Sequence, residues 1–222
     1  GVPDAAGTPA VIHTFPEDGA LVVETSNEAA LIEALPGAFP VMPGHVGAPF
    51  DLDTCIRLAA MGMDPPSPIE HSYLWHRDRG KIPAPFVHQI DTSRFLSVNP
   101  RSYVLNDIGT GKTLATAWAA DYLMEKQHIQ RVLIAAPLST LERVWADTWF
   151  FNFPRRSVAV LHGSSAKRRK LLAQPHDVYI INHDGLVVLE KDLMAREDIQ
   201  LIVLDELAVY RSKTNKHKAL HN

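Results

Sequence analysis

Gly109-Thr110-Gly111-Lys112-Thr113 constrains this chain more than any other stretch of its 222 residues. An apolar, β-prone run at 103–106 precedes it, and an unbroken helix-forming stretch at 114–124 follows. Glycines let a backbone wrap tightly enough for successive N–H groups to point at one phosphate, and the following helix adds the partial positive charge of its N-terminus. In that setting Lys112 reaches the β- and γ-phosphates of a nucleotide, and the Thr113 hydroxyl is a ligand for Mg²⁺. A bare Gly-Lys-Thr also opens helices by chance, and the strand before and helix after are what separate the two readings.

The surrounding texture agrees. From about residue 83 onward, short β-rich runs at 103–106, 131–136, 158–161, 178–182 and 201–204 alternate with helical stretches. The runs are nearly all apolar rather than alternating, as expected of parallel strands covered on both faces. The predicted fold is therefore α/β with a central parallel sheet, whose ligands sit at the carboxyl ends of the strands. One such end reads Leu204-Asp205-Glu206. Either acid alone is compatible with a helix cap. Paired with a phosphate loop about 90 residues upstream, Asp205 is expected to hold Mg²⁺ and Glu206 to polarise an attacking water. Lys112, Asp205 and Glu206 are thus the candidate catalytic residues, and Gly109–Thr113 the candidate binding loop.

The first third differs. Residues 1–75 hold ten acids and one base, a net −9, whereas 76–222 hold 21 bases and 15 acids, a net +6. The split predicts two domains, a small acidic α+β module at 1–75 and an ATP-binding lobe at 76–222, with any polyanion on the second. Strands are expected at 10–15 and 20–24 around an Asp18-Gly19 turn, then a helix capped by Ser26 or Asn27, then a helix at 52–61 capped by Asp51 and stopped at Gly62. Nothing in residues 1–70 carries recognisable chemistry, and no internal repeat or metal-ligand spacing occurs. No run of about 18 apolar residues exists, so no membrane span is expected. The single cysteine, Cys55, reads as a small apolar filler and fits a reducing, cytoplasmic setting. A start at Gly-Val-Pro-Asp without Met is expected of a processed chain or a fragment.

With both anchors in place, residues 83–220 resemble the first RecA-like lobe of superfamily-two motors, in particular the Swi/Snf-type, chromatin-remodeler-like helicases, including versions carried by bacteria and their phages. Asn106 stands where the general loop has its first glycine, a replacement common in helicase-type motors that shifts weight away from kinases and small GTPases. Pro85-Phe86-Val87-His88-Gln89 resembles the adenine-reading Q motif, and the resemblance implies that Gln89 takes the adenine edge; alone it would be an ordinary polar helix residue. Ala136 to Leu141 followed by Trp145 looks like motif Ia, implying that Ser139 and Thr140 contact the phosphates of nucleic acid, although Ser139 is equally suited to capping the next helix. Asn182 falls in the next strand-end DNA-contacting segment. Asp205-Glu206-Leu207-Ala208, with Lys213 in the basic continuation, resembles motif II, except that Ala208 replaces the usual His.

The resemblance implies ATP and Mg²⁺ as cofactors, DNA as a sequence-independent and mainly duplex partner, and a second RecA-like lobe supplying an arginine to the γ-phosphate. That lobe is not in the sequence, so the 222 residues alone are expected to be inactive. The expected function is the ATP-binding lobe of an ATP-dependent DNA translocase. The alternatives are an RNA helicase, a restriction-enzyme motor subunit, or a module that binds nucleotide without hydrolysing it. The basic run Lys167-Arg168-Arg169-Lys170 reads as a solvated helix face, and Trp145, Trp149, Phe150, Phe151 and Phe153 as helix-to-sheet core.

Overall fold

Residues 10–75, 84–104 and 111–206 are described by the computed structural model. They divide into two units, 10–75 with 84–104 and 111–119 in the first and 120–206 in the second. In the first, β1 (Ile12–Phe15) and β2 (Ala20–Glu24) form the expected hairpin, closed by a short 3-10 turn at Pro16–Asp18 and by Gly19 at φ +62°. They belong to an antiparallel sheet ordered β1-β2-β4-β3, with β3 at Phe39–Met42 and β4 at His45–Pro49. Leu21 and Val23 of β2 are buried opposite Ala48 and Val46 of β4. α1 (Glu28–Ala34) is capped by Asn27, whose side chain accepts from the Ala30 N–H at 3.3 Å, and it buries Leu31. α2 (Leu52–Ala60) starts at Asp51, which accepts from the Thr54 N–H at 2.8 Å, and Gly62 follows its end at φ +85°. Cys55 lies inside this core, and burial pushes its thiol up to about 12, which makes it an inert filler.

The β3–β4 hairpin is not among the strands the sequence suggests. Proline normally argues against strand because it lacks the N–H of the ladder. Here Pro40 sits on an edge strand and Pro49 at a strand end, the places where that loss is tolerated. Gly44 makes the turn at φ +79°, and its N–H donates to the Glu28 carboxylate at 2.7 Å. Gly47 has no side chain because the Phe39 ring crosses it; a Cβ there would lie 2.6 Å from that ring.

Three helices complete this unit, α3 (Ile69–Ser72), α4 (Val87–Val98) and the first turns of α5 (Lys112–Glu125). The Ser67 and Ser97 hydroxyls are hydrogen-bonded at 2.6 Å, and Arg94 pairs with Glu70 at 3.6 Å. Both links cross residue 75, so this unit and the acidic block of the sequence do not coincide.

The second unit is an α/β fold with four parallel strands in the order β6-β7-β5-β8: β5 (Arg131–Ala136), β6 (Val158–Leu161), β7 (Val178–Asn182) and β8 (Ile199–Leu204). β7 is buried along its whole length, matching its unbroken apolar run. α6 (Asp147–Asn152), α7 (Ser165–Leu172) and α8 (His183–Met194) lie in the crossovers. Leu133, Ala135, Leu161, Ile181 and Leu189 share one core. Of the further strand expected at 103–106, Tyr103 and Val104 are not in a strand, and Leu105 and Asn106 lie outside the described residues.

At the amino ends of the strands, Arg196 donates to Asp198 at 2.7 Å and to the Tyr179 hydroxyl at 3.0 Å, while the Arg131 guanidinium also reaches Asp198. The Arg196 guanidinium holds the Asp198 carboxyl down at about 2. This network staples one edge of the sheet and leaves the carboxyl edge to the candidate site. Among the described residues, no helix is long and apolar enough to cross a membrane.

Candidate functional site

The candidate residues fall in both units. In the first, Gly111 is the last loop residue before α5 and has φ +74°, a left-handed conformation that favours glycine. Its carbonyl accepts from the Ala115 N–H at 3.1 Å, which starts the helix. Lys112 and Thr113 form the first turn, where the helix dipole favours an anion. Gly109 and Thr110 lie outside the described residues.

Gln89, on the first turn of α4, is buried against this glycine. Its Oε1 accepts from the Phe86 N–H at 3.0 Å, and its Nε2 donates to the Gly111 carbonyl at 3.5 Å. A Cβ on Gly111 would overlap that amide. The Ser93 hydroxyl, one turn on, lies 2.8 Å from the Ala115 carbonyl. The segment expected to read adenine is thus tied by Gln89 to Gly111 and by Ser93 to the first turn of α5.

In the second unit the candidates line the carboxyl edge of the sheet. Beyond β8, the Asp205 N–H donates to the Ala135 carbonyl at 2.8 Å, extending the ladder by one residue. The Asp205 Oδ2 accepts from the Trp145 indole N–H at 2.9 Å. Glu206 then turns sharply at φ +57°, which costs a non-glycine residue about 1 kcal/mol. Strain of this kind collects where a side chain must be aimed.

After β5, Thr140 closes a tight turn, its N–H and hydroxyl donating to the Pro137 carbonyl at 3.0 and 3.1 Å. Ser139 is exposed, and Thr140 rather than Ser139 holds the cap position of the following π-helical turn, Leu141–Ala146, without a side-chain cap bond. After β7, Asn182 is buried, and its Oδ1 accepts from an Arg168 terminal N–H at 2.9 Å. Arg168 also donates to the Gly163 carbonyl at 2.9 Å and packs on Gly185, where a side chain would collide with it. The basic run is therefore not uniform: Lys167 and Lys170 are exposed, Arg169 pairs with Asp192 at 3.0 Å, and Arg168 folds inward.

The aromatic cluster divides as well. Trp145, Trp149 and Phe153 are core, whereas Phe150 and Phe151 are exposed. Ala208 and Lys213 lie outside the described residues.

Two links are invisible to sequence reasoning, Gln89 to Gly111 and Trp145 to Asp205. The latter pair stands 60 positions apart, and no spacing rule connects them. Among the described residues, no group of three His, Cys, Asp or Glu side chains is placed to hold a metal. A Mg²⁺ ion arriving with nucleotide phosphates needs only one or two protein carboxylates, and the Asp205 Oδ1 holds no hydrogen bond among the described residues.

Among solved structures, the chain is similar to the SWI2/SNF2 ATPase core of Sulfolobus solfataricus in complex with dsDNA, at 21% identity and TM-score 0.56, over 67% of this chain and 31% of that one. It is also similar to the UvsW helicase of bacteriophage T4, at 15% identity and TM-score 0.53, over 96% of this chain and 86% of that one. At these identities the likeness speaks for the fold, that of a RecA-like lobe. No curated protein matches the chain. The profile of the SNF2-related domain matches residues 74–221, about two thirds of the sequence and a span that includes both the Gly-Lys-Thr loop and the Asp-Glu pair. The chain belongs to the SNF2-related domain family.

Proposed function

We propose that this chain is the ATP-binding lobe of an ATP-dependent translocase that moves on duplex DNA. The observation that carries the reading is the single family match running through both anchors, Gly111-Lys112-Thr113 and Asp205-Glu206. The structural support is local: a left-handed glycine opening α5, and a carboxylate held at the end of β8 with one oxygen uncommitted.

In this reading Gly109, Thr110 and Gly111 present N–H groups to the phosphates, with Lys112 as counter-charge and Gln89 toward the adenine. Thr113 and Asp205 hold the metal. Bound Mg²⁺ would neutralise charge developing on the transferred phosphoryl group. Glu206 orients a water for in-line attack. Completion of the site by an arginine from a second lobe assigns turnover to the intact protein rather than to these residues alone. The match to only 31% of the archaeal ATPase core accords with that division.

Ser139, Thr140, Asn182 and Lys213 are proposed to contact the backbone of DNA, which serves movement along a duplex because phosphates carry no sequence information. The dsDNA in the archaeal complex supports duplex over RNA. We further propose residues 1–75 as a module with a role of its own and 76–222 as the motor lobe.

The test is ATP turnover by the intact protein with duplex DNA, single-stranded DNA or RNA. Stimulation by duplex, of equal size for unrelated sequences and lost in Glu206→Gln, is the expected result. Stimulation by RNA alone would assign the motor to RNA, and ATP binding without turnover under any condition would leave a nucleotide-dependent interaction module.

A further inference from the structure

Asp205 is fixed from two directions. Its backbone N–H is held by Ala135 at 2.8 Å, and its carboxylate by the Trp145 indole at 2.9 Å. Trp145 is only 3% exposed, so the donor end of this part-buried, charge-assisted bond is held in the core. The indole is itself held. Trp145 lies in the π-helical turn Leu141–Ala146, and its backbone N–H donates at 3.1 Å to the Thr140 carbonyl, five residues back. A π turn inserts one residue into helical phase, and such turns recur at functional sites. Thr140 in turn is locked to Pro137 by two hydrogen bonds. An indole N–H is a donor only. It therefore engages Oδ2 and leaves Oδ1, which has no hydrogen bond among the described residues, as the oxygen available to a cation or its bound water.

Resting on the reading of Asp205 as a metal ligand, we propose that Trp145 is a positioning residue that orients this carboxylate toward the divalent cation of the bound nucleotide. Groups that orient a ligand in this way typically contribute about 10–100-fold to metal affinity. An aromatic ring with a merely structural role would contribute packing and nothing to the metal.

The test measures binding of a non-hydrolysable ATP analogue to the full chain across a range of free Mg²⁺ and in EDTA. Trp145→Phe removes the donor. A second variant carries β-(3-benzothienyl)alanine at position 145, which replaces the N–H by sulfur and keeps the bicyclic shape should the phenylalanine variant fold poorly. Both are expected to need about 10-fold more Mg²⁺ to reach half-maximal enhancement of binding, with affinity in EDTA unchanged. An unshifted Mg²⁺ midpoint in the benzothienyl variant overturns the proposal, even if Trp145→Phe shifts, because bulk rather than the N–H would then be responsible. Lys112→Ala, run alongside, separates the two levels. If it leaves binding in EDTA intact, the nucleotide reading of the chain fails, whatever Trp145 does.

Discussion

Replacing Gly111 by Ala perturbs two things at once, and the structure separates them. At φ +74° a side chain meets the left-handed penalty, about 1–2 kcal/mol. The added Cβ also overlaps the Gln89 amide, which must move and give up its bond to the Phe86 N–H, a net loss of about 0.5–1.5 kcal/mol. The expected cost is therefore about 1.5–3.5 kcal/mol. Gln89→Ala alone loses only the second contribution, because the Phe86 N–H at the exposed helix start is re-solvated. The double variant should then be less destabilised than the sum of the singles by about 1 kcal/mol, since the collision with Gln89 no longer occurs. Urea unfolding of the wild type, both singles and the double variant measures this cycle. Strict additivity, or a Gly111→Ala cost below about 0.5 kcal/mol, would refute the close approach between α4 and Gly111.

Two further perturbations probe the second unit. Glu206→Gly relieves the left-handed strain at φ +57° and should raise stability by about 1 kcal/mol while abolishing turnover in the intact protein, an opposition that thermal unfolding beside an ATPase assay would reveal. Asp198 has its pKa lowered from 3.8 to about 2 by Arg196, so its contribution is fully present above pH 4 and is lost as pH falls toward 2. The stability gap between wild type and Asp198→Asn, on the order of 1 kcal/mol after screening, should close over that window, and a gap that stays constant down to pH 2 would rule out the ion-pair account.

Much of this molecule is legible in its sequence where local physics decides. Strands 131–136 and 178–182 were readable because a strand buried on both faces is apolar along nearly its whole length, and the short edge strand 158–161, buried at alternate positions, was readable from its apolar β-branched composition. The starts of α1 and α2 were readable because Asn27 and Asp51 each satisfy a helix N–H within three residues. Legibility ends where tertiary context decides. The prolines that disguise β3 and β4 are harmless only because of where those strands sit in the sheet. Residues 103–104 have strand composition without strand structure. The inward turn of Arg168 follows from Asn182 and from the absence of a side chain on Gly185, neither of which lies near it in the chain. In the candidate site, the residue types on the loop and the acid pair were readable. The groups that orient them, Gln89 against Gly111 and Trp145 on Asp205, arise from pairings across 22 and 60 positions.

If Gly109–Thr113 grips the phosphates of ATP, Lys112 is the counter-charge that the grip cannot lose, and isothermal titration calorimetry with Mg²⁺ and ATP on the wild type and Lys112→Ala reads that grip itself. Saturable one-to-one binding to the wild type and none detectable for Lys112→Ala are expected, with both proteins giving the same thermal unfolding midpoint in the absence of nucleotide. Equal affinity in the two proteins would contradict it.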